Sequence, residues 1–304
     1  MSRRQPKAWI NQHRRRRESL LGTLLLLPAL VAITVAGITP ILITISYSFQ
    51  HRQLTDPLHI YFVGFDNYLE IFHNGRFQEP LRNTLRFALY SIVVQFTVGM
   101  TGALLMNSAK RMVGLIRTVI LIPWAIPGII TAHMFSYMFN DQFGVINAIL
   151  LRLHLIEKLQ ALLTSRAGAM FIIVLADTWK QFPFMALLLL SGLQTIPDEL
   201  YESASVDGAG SVNSFFRITL PNLRQIILIV LLFRSMGALR VFDIVYGITG
   251  GGPGNATSTL LYQAYRYLFG DMNFGMGAAM STIITMMILI LSAVYMLILG
   301  RREE

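Results

Sequence analysis

Residues 196–221 read Ile-Pro-Asp-Glu-Leu-Tyr-Glu-Ser-Ala-Ser-Val-Asp-Gly-Ala-Gly to Gly210, then Ser-Val-Asn-Ser-Phe-Phe-Arg-Ile-Thr-Leu-Pro to Pro221. Pro197 suits a first helical position, and Asp198 and Glu199 favour the positive end of that helix. Leu200, Ala204 and, a little off-face, Val206 share one side. Gly208 permits the left-handed conformation that ends a helix. Ser211 is a cap for a second short helix presenting Phe215, Phe216 and Leu220, and Pro221 marks the start of the next apolar run. The stretch is a helix–turn–helix with apolar groups that lipid cannot cover. Either it docks into another protein's groove, or it folds back on the ends of this chain's own spans.

Outward from it the sequence turns apolar on both sides. Of 304 residues, 54% are hydrophobic and 13% charged, against about 25% charged in a soluble domain. Such a chain cannot cover its surface with polar groups, so lipid is its solvent. A helix needs roughly 20 apolar residues to cross the hydrocarbon. Six runs qualify: 20–45, 85–106, 118–139, 169–193, 225–247 and 277–299. The first spans 26 residues, too long for the roughly 7–15-residue apolar stretch of a signal peptide, so it is expected to be a retained span. The expectation is an all-α polytopic membrane protein of about six transmembrane helices. It consists of a basic segment, 1–19, and a transmembrane domain, 20–304.

The net charge of +9 is not a nucleic-acid footprint, because seven of the 25 Lys and Arg lie in the first seventeen residues and the rest flank apolar runs. With the N-terminus inside, segments 1–19, 107–117, 194–224 and 300–304 hold 14 Lys and Arg in 66 residues, whereas the outer loops hold 7 in 97. Both termini are therefore expected in the cytoplasm. Segment 1–18, with Trp9 and Ile10, is either an interfacial helix or a disordered basic leader. The chain has no cysteine, which excludes disulfides, thiolate nucleophiles and Cys-ligated metal centres.

Glu202, Ala204, Gly208, Ile218, Leu220 and Pro221 match in type and spacing the signature loop of binding-protein-dependent ABC importer permeases, Glu-Ala-Ala, three residues, Gly, nine residues, Ile-x-Leu-Pro. Ser203 replaces the first Ala and is small enough for a tight helical contact. The likeness covers nearly the whole chain and narrows to carbohydrate-type permeases of the maltose and glycerol-phosphate kind. Val63-Gly-Phe-Asp-Asn-Tyr68, Asn83-Thr-Leu85, Leu121-Ile-Pro-Trp-Ala-Ile-Pro127, Leu200-Tyr-Glu202, Asp207-Gly-Ala209 and Thr249-Gly-Gly-Gly-Pro253 carry it.

The resemblance implies a type I importer permease fold and a coupling loop, 194–224, gripped by a cytoplasmic ATPase. Leu200, Glu202, Ser203, Ala204, Asp207, Gly208, Ala209, Ile218, Leu220 and Pro221 would dock there. It also implies two ATPase subunits that bind ATP and Mg, a second homologous permease (a different chain rather than a copy), and an extracytoplasmic solute-binding protein. This chain itself would be non-catalytic and bind no cofactor. Alternating access in the inner membrane would import a sugar or sugar-like solute. An ion-coupled secondary transporter is the alternative, weakened by the lack of a clear internal repeat.

Charges at mid-span cost about 2.5–3.5 kcal/mol each, so they face an aqueous or protein interior. Asp177, Lys180 and Gln181 lie in the fourth run, ahead of an expected break at Pro183. Asp177 and Lys180 are spaced to pair, as are Arg240 and Asp243 in the fifth, which also carries Arg234. These groups either tie helices together or line a passage in which Trp179, Phe242 and Tyr246 face sugar rings. Gly250–Gly254 lacks the Lys-Ser/Thr of a phosphate loop, Asn255-Ala-Thr257 is a sequon only in form, and the six His are too scattered for a metal site. Gly275, Gly277, Ala278 and Ala279 would let helices approach closely, within the chain or at a second permease.

Overall fold

Prolines and small residues, more than the edges of the apolar runs, decide where helices begin, bend and meet. The computed structural model describes residues 24–73, 75–109 and 113–300. The basic segment 1–19 and its interfacial-helix reading lie outside them.

In chain order, α1 is Leu24–Ser48, followed by an antiparallel ribbon of β1 (Gln50–His51) and β2 (Tyr61–Phe62), then α2 (Asp66–His73). Next come α3 (Gln78–Ser108), α4 (Val113–Ala125), α5 (Gly128–Met138), α6 (Val145–Arg152) and α7 (Arg166–Leu193). The helix–turn–helix is α8 (Asp198–Val206) with α9 (Ser211–Asn222), and α10 (Arg224–Leu239) and α11 (Asp243–Thr249) follow. The chain closes with α12 (Leu260–Tyr265), a wide turn at Arg266–Gly270, and α13 (Phe274–Gly300).

Four helices, α1, α3, α7 and α13, are each long and apolar enough to cross a bilayer. Run 118–139 is not one straight helix. It splits into α4 and α5, bent by 88°. Pro127 supplies no N–H and sits at φ −55°, ψ 139° as the residue before α5, and Pro123 already weakens the last turn of α4. Run 225–247 also breaks. Its helix α10 stops at Leu239, residues 240–242 are non-helical, and α9 meets α10 at 71°. Conversely, Pro183 causes no break: α7 runs through it to Leu193, as transmembrane helices tolerate where neighbours support the backbone.

The centre of the fold is α3 against α7, where small residues let the backbones close. A Cβ on Gly99 would stand 3.1 Å from Met185, and one on Gly102 would stand 3.6 Å from Ala186. At the α8–α9 end, Met100, Ala103, Met106, Met185, Leu189, Leu193 and Leu223 form one buried cluster. At the opposite end Phe87, Phe135, Ile172, Ile173 and Val245 form another, and Ile71, Phe77, Leu260 and Met280 join α2, α12 and α13 in a third.

Sequence motifs outside the spans secure this far end. Asn67 donates to the Ser48 and Gln50 carbonyls (2.8 and 3.0 Å), and the Tyr68 and Ser48 hydroxyls lie 2.6 Å apart. Asn83 donates to the Asn255 and Ser258 carbonyls, and Thr84 accepts from the Leu260 N–H. The small residues opening α13 serve this chain's own packing. A Cβ on Gly275 would lie 2.3 Å from the Gln50 carbonyl oxygen, and one on Gly277 would lie 2.4 Å from Leu268.

Candidate functional site: the α8–α9 knob and the broken spans

Helix α8 begins with Asp198 and Glu199 in its first turn, with Pro197 one place earlier than expected, as the residue before the helix. Its end is a Schellman closure. The Ala209 N–H donates to the Ala204 carbonyl (2.8 Å), the Gly208 N–H to that of Ser205 (3.1 Å), and Gly208 takes φ +80°. Ser211 is the first residue of α9 rather than its cap, Gly210 holding that place.

The Tyr201 and Thr219 hydroxyls are 2.9 Å apart and pin α8 to α9. Tyr201, Phe215 and Ile218 pack inward on the Leu193–Leu223 cluster. Both readings of the stretch thus hold in part, since one face folds back on the spans and the other projects. Leu200, Val206, Val212 and Phe216 are 41, 89, 73 and 59% exposed. Glu202, Ser203, Asp207, Gly208 and Pro221 are exposed with them, whereas Ala204, Ala209, Ile218 and Leu220 are half-buried. Phe215 and Leu220 are therefore not presented as the spacing suggested.

The intramembrane charges are wired differently from their sequence spacing. Asp177 pairs with Arg234, not with Lys180. Gln95 donates to the same carboxylate oxygen (2.9 Å), Arg234 donates to the Ser91 hydroxyl (2.9 Å), and all four residues are buried. Lys180 turns the other way and donates to the Ile126 carbonyl at 2.7 Å and the Trp124 carbonyl at 3.4 Å, carbonyls that the end of α4 leaves unsatisfied. Arg240 and Asp243 form no ion pair among the described residues. The non-helical stretch between them removes the geometry that a three-residue spacing needs.

Phe242 and Tyr246 stack with ring centroids 5.5 Å apart, and Tyr262 and Tyr265 complete an aromatic group, with Tyr265 5.1 Å from Phe242. A hydrogen bond to Tyr246 is the main cause of a raised Tyr265 pKa. Trp179 is separate, packed on Phe135 at 5.8 Å. Gln181 is half-buried close by along α7. Sequence reasoning overlooked Gln95, although a glutamine inside run 85–106 is a readable signal, and it overlooked Tyr262 and Tyr265, which lie outside any span. Among the described residues no group of His, Cys, Asp or Glu is placed to hold a metal ion.

Residues 80–303 match the family described as the binding-protein-dependent transport system inner membrane component. The chain belongs to this family. It is 40% identical over 281 residues, covering 92% of this chain and 94% of the relative, to the trehalose/maltose transport system permease protein MalF of Thermococcus litoralis. A bacterial ABC transporter chain involved in import of the acidic polysaccharide alginate superposes with TM-score 0.80 at 22% identity, over 98% of this chain and all of that one. The alginate transporter in complex with a pentasaccharide-bound periplasmic protein gives 0.78 at 23%, over 92% and 93%. Those two likenesses carry the fold alone, and the described residues supply four long apolar helices, or up to six spans if each bent pair is one. As a member of the binding-protein-dependent family, the chain is a multi-pass inner-membrane transport component rather than a catalytic subunit.

Proposed function

We propose that this chain is the permease subunit of an ATP-driven importer for a sugar or sugar-like solute, working by alternating access with both termini in the cytoplasm. The α8–α9 knob carries this reading. It is a rigid projection, closed at Gly208 and braced by Tyr201, whose outer apolar face no part of the described chain covers. Two cytoplasmic ATPase subunits, which bind ATP and Mg, would grip it. A homologous second permease, different in sequence, and an extracytoplasmic binding protein complete the assembly. The sugar class follows from the trehalose/maltose relative. An ion-coupled carrier is disfavoured by the family assignment.

In the cycle, closure of the ATPases draws the knobs together, α7 and α10 transmit the motion, and the broken spans open toward the outside. Cargo passes Lys180, Gln181, Arg240, Phe242, Asp243 and Tyr246, with the aromatic faces receiving sugar rings, while Trp179 lies apart against Phe135. Asp177 serves as an internal tie. Gly208→Asp tests the docking. A Cβ there meets no atom within 4 Å in this chain, so its effects are backbone strain at positive φ and a charge on the gripped surface. The expected result is normal insertion with lost ATPase co-purification and uptake; full uptake with full co-purification would overturn the reading.

A further inference from the structure

A break in a transmembrane helix exposes two sets of unpaired backbone groups, carbonyls where one half ends and N–H groups where the next begins. In water both are solvated; in a membrane each needs a partner. At the α4/α5 break a charge of the matching sign stands at each set. Lys180 donates to the Ile126 and Trp124 carbonyls at 2.7 and 3.4 Å. On the other side the Asp243 carboxylate lies against Gly128, the first residue of α5, so closely that a Cβ on Gly128 would stand 1.8 Å from Oδ2 and 2.7 Å from Cγ. Cation at the carbonyl end and anion at the N–H end is the favourable order for both half-helices.

The two charges come from different spans. Lys180 belongs to α7, and Asp243 opens α11. A Cβ on Gly247, one turn along α11, would lie 2.6 Å from Ala132 and 2.9 Å from Ile129, one turn along α5. So α11 and α5 run side by side with their N-terminal ends together, and only glycines at 128 and 247 allow that approach. Lys180 in turn lies about 20 Å along α7 from Leu193, where α7 enters the cluster beneath the knob.

We infer that Lys180 and Asp243 are positioning residues for transport: they hold the α4/α5 break open and fasten its two halves to α7 and α11. Motion of the knob along α7 then reaches the break through the Lys180 ammonium. The inference goes beyond the pathway proposed above, because it assigns both charges a task in the absence of cargo.

The test uses the complete transporter in lipid nanodiscs and vesicles, without cargo for the first measurement. Ile130 and Thr131 already donate to the Pro127 carbonyl, so hydrogen exchange at the amides of Gly128 and Ile129 is expected to accelerate about tenfold in Lys180→Met and in Asp243→Asn, and to remain slow in Lys180→Arg, whose guanidinium reaches the same carbonyls. Maximal uptake should fall by a similar factor in the first two variants and recover in the third, with the half-saturating concentration of loaded binding protein unchanged. Gly128→Ala should impair assembly, and Gly128→Ala/Asp243→Ala should restore it in part, because removing the carboxylate makes room for the new methyl. Unchanged exchange in both charge variants would overturn the inference. So would a shift in half-saturation alone, which would make the two residues cargo contacts only, or no relief of Gly128→Ala by Asp243→Ala.

Discussion

Asp177 and Arg234 illustrate what single residues reveal and conceal. Their depth in apolar runs marks them as groups that need a polar partner, and this is legible without a structure. Which partner each takes is not, because the choice depends on how α3, α7 and α10 face one another. Asp177 meets Arg234 and Gln95 across helices, while Lys180, its apparent mate three residues away, is drawn to the end of α4. A buried pair of this kind is costly to halve: removing one member leaves the other charge uncompensated, at about 3–5 kcal/mol. Asp177→Leu or Arg234→Leu alone should therefore lower the thermal midpoint of the purified complex markedly. The double variant Asp177→Leu/Arg234→Leu should recover most of the loss, since an apolar pair can replace a buried ion pair at little cost. Midpoints from thermal unfolding decide it, and a double variant no better than the worse single one would show that the pair acts through something other than its mutual charge.

At the scale of elements, run length and apolar character marked the four long apolar helices among the described residues but not the bends. Both halves of run 118–139 are apolar, so hydropathy passes over Ile126–Pro127 without a mark, and α5 turns 88° from its partner half. Proline alone does not foretell the outcome. Pro127 stands before a helix that packs on α11, whereas Pro183 is buried within α7 and is carried through. Proline's missing N–H is a fixed cost; neighbouring packing decides whether the helix yields. Replacing Pro127 by Ala should lower the cost of joining α4 to α5 and so weaken the break. Uptake by Pro127→Ala is expected to fall several-fold while co-purification of the ATPase stays complete, because the break meets α7 at Lys180, about 20 Å along that helix from the knob. Loss of co-purification with retained uptake would contradict this assignment of roles. The turn at Gly208, by contrast, was fully legible, since a glycine after an amphipathic helix has few other uses.

For the whole molecule, the sequence pointed to its architecture because composition, charge asymmetry and one loop all agree. What it could not convey is which faces meet which partners. The knob's inward face, Tyr201, Phe215 and Ile218, and its outward face, Leu200, Val206, Val212 and Phe216, are both apolar, and only the packed fold tells them apart. In the proposed function the outward face lies in the cytoplasm under the grip of an ATPase. The chain contains no cysteine, so Val206→Cys places a single thiol at a site 89% exposed in the subunit alone. Labelling that variant with a membrane-impermeant maleimide is the most direct measurement. Reaction is expected only in inside-out vesicles stripped of the ATPase, with protection when the ATPase is restored; reaction from the outer face of intact cells would put the knob on the wrong side of the membrane for that partner.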